Sequence, residues 1–165
     1  MAGRTVVGVT GSAASLAALR TAADEARHGG RRLVAVLAWE PPEGEAAYLR
    51  RPDRAWAAYW EEEAQARLRR AFDEVFGGAP PGVETEHRVV RARPWRALLA
   101  AAPDPDDRLV VGAGRGFGGG RVGRRLRRGA DCAVLTVPKP RLTKETRRAL
   151  RRATPTDFAR SPVGA

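Results

Sequence analysis

Cysteine is nearly absent from this chain. Cys132 is the only one in 165 residues, so no disulfide can form within it, which agrees with a reducing compartment. No run of about 18 apolar residues occurs, which leaves no candidate membrane-spanning helix. The opening MAGRTVVGVTG lacks the apolar core of a signal peptide and enters a strand pattern directly. The expected location is therefore cytoplasmic, with no membrane partner. Histidine is scarce as well: His28 falls at a helix end and His87 in a strand, and neither has neighbours that suggest a triad. No G-x-x-x-x-G-K-[ST] loop exists, which excludes a Walker-type phosphate site. Asp104, Asp106 and Asp107 cluster, but in a turn of ordinary acidic composition. Taken together, these absences point to a protein that is not an enzyme and holds no metal.

Acidic residues are scarce in one region only. Residues 1–113 hold 16 basic and 16 acidic residues, whereas 114–131 hold six arginines against one aspartate and 132–165 hold eight cations against two carboxylates. The whole +11 of formal charge thus lies in the last third of the chain. Such asymmetry bears on partners and says nothing about fold.

What is present is an alternation of strand and helix patterns. TVVGV (5–9), RLVAVLAW (32–39), VETEHRVV (83–90), RLVVGA (108–113) and CAVLTV (132–137) are short, largely apolar runs of the kind that parallel strands give. Between them stand helix patterns. Ser12 is placed to cap the first, whose Leu16, Leu19, Ala23 and Ala26 recur on one face before Gly29 and Gly30 stop it. Pro41 and Pro42 keep 40–46 a loop. Asp53 to Phe76 forms a long amphipathic helix in which Trp56 and Trp60 read as packing residues and Glu63 and Arg67 as an i, i+4 pair. Pro94 opens a short helix, and 120–130 forms a fourth. Five strands alternating with four helices predict an α/β fold: one open parallel sheet with helices on both faces. Residues 4–138 make this domain. Residues 139–165 read as a basic, disordered tail with a brief helix over Lys144–Arg152.

The densest chemical signal is the stretch after strand four, with seven glycines among residues 112–123. Backbone N–H groups and a helix N-terminus gathered behind a strand form a natural phosphate cradle. Two G-x-G-x-x-G matches fall inside it, but neither follows the first strand as the dinucleotide fingerprint does. Arg121, Arg124, Arg125, Arg127 and Arg128 could grip phosphate, although such runs are more often solvated helix faces. The basic tail has the charge to contact nucleic acid, yet with one aromatic, Phe158, and no binding motif, a solvated tail is the reading the residues favour. Cys132 reads as a small buried hydrophobe.

The pieces VVGVTGSAASLAALRTAADEARHGGRRLVAVLAW, ETEHRVVRARPWRALLAAA, LVVGAGRG and GRVGRRLRRGADCAVLTVP, in this order, resemble the universal stress protein family over residues 4–138. The resemblance implies the strand order 3-2-1-4-5, and ATP or another adenine nucleotide lying across the ends of strands one and four. It implies contacts at Val9, Thr10, Gly112, Gly114, Gly116, Gly120, Arg121 and Val122. It also implies a homodimer formed through the last strand, Cys132–Val137. The chain departs from the family pattern at this site. Thr10 replaces the aspartate that meets the nucleoside. Arg115 stands where a glycine is expected, unless Gly114 or Gly116 takes its place, and the spacer up to Gly120 is short. Arg121 replaces a phosphate-binding Ser or Thr. The expected function is a stress-linked binding or regulatory protein with a weakened or lost ATP site. The alternatives are an ATP-binding member, at most a slow ATPase, and a nucleic-acid-associated protein acting through the basic region.

Overall fold

A computed structural model describes residues 3–113, 121–141 and 143–154. Its five strands are β1 (Thr5–Gly8), β2 (Leu33–Trp39), β3 (Thr85–Arg91), β4 (Arg108–Gly112) and β5 (Ala133–Val137). All neighbours pair in parallel in the order β3-β2-β1-β4-β5. The helices among the described residues are α1 (Ala13–Gly29), α2 (Glu45–Arg50), α3 (Arg54–Phe76), α4 (Pro94–Ala101), α5 (Arg121–Gly129) and α6 (Lys144–Arg152).

Alternation along the strands divides the core into two layers. Val7, Leu33, Ala35, Leu37 and Val110 face α1 and α3, where Leu19, Ala23, Leu68 and Phe72 cover them. Val6, Val34, Val36, Leu109 and Val111 face the other way, against Leu98 of α4 and Leu126 of α5. Both faces of β1 and β2 are therefore sealed, as near-continuous apolar runs require. Ser12 caps α1 by accepting from the Ser15 N–H, and Gly30 ends it in the left-handed conformation at φ +60°.

Helix α2 is the correction to the sequence reading, which has a loop over 40–46 and no helix between it and Asp53. Six residues are too few to display a helical period, so tertiary contacts hold α2. Tyr48 is buried and its hydroxyl donates to Asp53 O at 3.2 Å. The Arg91 guanidinium lies 3.9 Å from the Tyr48 ring centroid and pairs with Glu45 at 2.8 Å. The Glu45 bond, helped by Tyr48, outweighs burial and raises the Arg91 pKa.

Candidate functional site

Strand order reverses between β1 and β4, and in an open parallel sheet the crevice beyond the carboxyl ends at such a point is where ligands sit. Three of the residues expected at the site meet there. Val9 is fully buried and its N–H donates to Val36 O at 2.9 Å, so it is a core residue whose amide is already used. Thr10 follows, and its hydroxyl is committed within its own turn. Oγ1 donates to Ser12 Oγ at 3.0 Å and accepts from the Ser12 N–H at 3.2 Å, while the Thr10 N–H donates to Ser15 Oγ at 3.2 Å. Ser15 Oγ in turn donates to Ser12 O at 3.0 Å. Gly11 makes this knot sterically available with φ +85°. The stem of Arg67 on α3 lies beside it: a Cβ on Gly11 would sit 3.7 Å from Arg67 Cγ.

Gly112 ends β4 against the first turn of α1. A Cβ there would stand 2.5 Å from both C and O of Ala14 and 2.8 Å from Ser15 N. These are backbone atoms and cannot rotate aside. The glycine is therefore required by helix-on-strand packing, whatever ligand the crevice holds. Beyond it, the Ala113 N–H donates to Val137 O at 2.7 Å.

Gly114, Gly116 and Gly120, together with Arg115, lie outside the described residues. Arg121 opens α5. Val122 is half-buried and packs with Leu126 into the second core layer. The exposed arginines of α5 include Arg125, whose guanidinium lies 4.8 Å from the Trp95 ring centroid.

The remaining chemically suggestive residues have structural partners. Asp107 is 2% exposed and is held by Arg4 through the backbone N–H at 2.7 Å and the guanidinium at 3.0 Å, with the Asp104 N–H at 3.2 Å. Burial alone would raise its pKa, but these donors outweigh that and hold the carboxyl below its usual range. This turn fastens the amino end of β4 to the residue before β1, at the opposite end of the strands from the crevice. No group of His, Cys, Asp and Glu able to hold a metal occurs among the described residues. His87 packs on Phe72 with ring centroids 4.2 Å apart, and burial lowers its pKa. His28 Nδ1 lies 2.7 Å from Asp24 O. Cys132 is half-buried, and burial pushes its thiol pKa up, which opposes nucleophilic use.

Trp56 and Trp60 pack against each other, on the partly exposed start of α3. They form an edge-to-face pair at 5.5 Å, with Tyr59 against both, and Trp56 and Tyr59 remain 43% and 51% exposed. What the sequence reading missed at this end of the sheet is the Thr10–Ser12–Ser15 knot. Its signal was there in the three hydroxyls spaced 10, 12 and 15 around a glycine.

The model of the universal stress protein family matches residues 1–138. The chain belongs to this family. Its parallel sheet has the family's strand order, as the resemblance implied. Among solved structures it is similar to a universal stress protein in complex with cAMP, at 27% identity and a TM-score of 0.60, over 85% of this chain and 100% of that one. A universal stress protein from Lactobacillus plantarum matches at 20% identity and TM-score 0.56, over 82% and 97%. One from Archaeoglobus fulgidus in complex with dAMP matches at 22% and 0.52, over 83% and 99%. The last two similarities speak to the fold alone. No curated protein matches the chain. Among the described residues, no helix of this family member is long and apolar enough to cross a membrane.

Proposed function

We propose that this universal stress family protein is a non-enzymatic binding or regulatory module of the stress response, working in the cytoplasm, whose adenine-nucleotide site is weakened. The observation that carries this is Thr10. Where the family pattern has a carboxylate to meet the nucleoside, this chain has a hydroxyl that both donates and accepts within its own turn. Its one proton is spent and a single acceptor lone pair is left, so it offers a ribose one neutral bond where a carboxylate offers several charge-assisted ones. Arg121 in place of a phosphate-binding hydroxyl points the same way. Calorimetric titration with ATP tests this reading. No saturable heat is expected at micromolar protein, and a micromolar Kd, worth about −8 kcal/mol, would sink it.

The second reading, an intact adenine-nucleotide site, is favoured by the similarity to the cAMP-bound protein. Adenine absorbance carried by protein purified without added ligand would establish it. Phosphate release above a no-protein blank, lost on substituting Arg121, would instead make the protein a slow ATPase.

The proposed assembly is a homodimer through β5. This strand pairs only with β4 among the described residues, and Ala133 and Leu135 are exposed, Leu135 at 43%. A short apolar edge of this kind invites pairing with a second copy.

A further inference from the structure

The tail beyond the domain carries a feature that the nucleotide site does not absorb. Helix α6 is properly begun: Thr143 caps it, its Oγ1 accepting from the Thr146 N–H at 3.1 Å. Its five cations are Lys144, Arg147, Arg148, Arg151 and Arg152, a spacing of i, i+3, i+4, i+7, i+8. At 3.6 residues per turn these positions fall within an arc of about 140° along a helix about 13 Å long. All five are exposed. Glu145 is the only carboxylate on the helix, so the row repels itself along its whole length. A row of like charges held on one face of a capped helix is complementary to a row of opposite charges.

We propose that α6 is a docking strip for the phosphate backbone of duplex DNA. Four of the five cations are arginines, whose forked donors suit phosphate oxygens. The helix has no aromatic side chain, which removes the stacking platform that single strands need. Its only apolar residues are Ala149 and Leu150, too little for the apolar face of a membrane-surface helix. It also has no Asn or Gln to read adenine edges, and with its arginines assigned to phosphates the expected binding is independent of sequence. The reading leaves the crevice at Thr10 untouched and stands whether or not a nucleotide binds there.

The test is fluorescence anisotropy of a labelled 20-base-pair duplex with the full chain, titrated between 50 and 200 mM salt. Five phosphate contacts give a slope of log K against log salt of about −4.5, and about 500-fold weaker binding across that range. Arg147→Gln with Arg151→Gln reduces the slope by about 2, as does the second pair, Arg148→Gln with Arg152→Gln. A control of equal charge loss, Arg127→Gln with Arg128→Gln on α5, leaves the slope within about 0.5. Equal slope changes in the α6 pairs and the control would reduce the effect to net charge and overturn the proposal. Unchanged slopes in both α6 pairs, or tighter binding to phosphatidylserine vesicles than to the duplex, would overturn it as well.

Discussion

Gly112→Ala separates two reasons for a glycine at the end of β4. If the glycine served only to admit a phosphate, an alanine there would leave the apo protein as stable as before. The geometry demands otherwise. The added methyl would lie 2.5 Å from the Ala14 carbonyl carbon and oxygen and 2.8 Å from Ser15 N, so α1 and β4 must separate. The Ser12–Ser15 cap and the Thr10–Ser15 bond sit in the segment that would move. Overpacking of a core costs about 1–3 kcal/mol where side chains can adjust. Here only backbone can give, so the upper end, about 3 kcal/mol, is expected. With a urea m-value of about 2 kcal/mol/M, the unfolding midpoint falls by about 1.5 M. Gly30→Ala is the comparison. Gly30 has φ +60° but open space where its Cβ would go, so only the left-handed backbone penalty of about 1 kcal/mol applies, a fall of about 0.5 M. A Gly112→Ala midpoint within about 0.3 M of the parent, or a smaller fall than at Gly30, would refute the packing account.

Two further outcomes follow from the two edges of the fold. Asp107 has its native pKa below the unfolded value of about 3.9, so its contribution is complete above about pH 4 and is lost as pH falls through the lower native value. Asp107→Asn should cost about 1–2 kcal/mol at pH 7, allowing for the partial exposure of Arg4, and the gap from the parent should close towards pH 2 in urea titrations. A gap of equal size at both ends would show that the charge is not what matters. Leu135→Glu places a carboxylate on the exposed edge strand and should convert the proposed dimer to a monomer in light scattering at micromolar concentration. A dimer that persists would place the interface elsewhere.

The fold was legible because its strands are apolar on both faces. Runs such as LVAVLAW and RLVVG can be satisfied only inside a sheet covered twice, and the helices between them show their faces through Leu19, Ala23, Leu68 and Phe72. Strand ends and the start of α3 came within a residue or two. Helix α2 was not legible, since nothing in six residues tells that Tyr48 will be buried under an arginine from β3. The exposed Trp56 and Tyr59 were not legible either, because a helical apolar spacing looks alike on the core and on a helix end that outruns it. At the site, the positions could be listed from the resemblance, but their commitments could not. Hydrogen bonding inside the Thr10 turn depends on the φ of Gly11 and on where α1 begins, which are three-dimensional facts.

Those commitments change what each position testifies to. A glycine in a phosphate-loop pattern invites the inference that the phosphate requires it. In this chain Gly112 is required by α1 regardless, and Val9 and Val122 are held by the core on opposite faces of the sheet. Packing would preserve all three in a protein that never met a nucleotide. Their presence therefore argues for the family fold and is neutral about the ligand. What can report on binding is the residue type at the positions the family pattern assigns to the ligand, Thr10 and Arg121 among them. Both differ from the family's pattern, in the two groups that would meet the nucleoside and the phosphates. An intact family fold and the weakened site proposed above are compatible because they rest on different atoms.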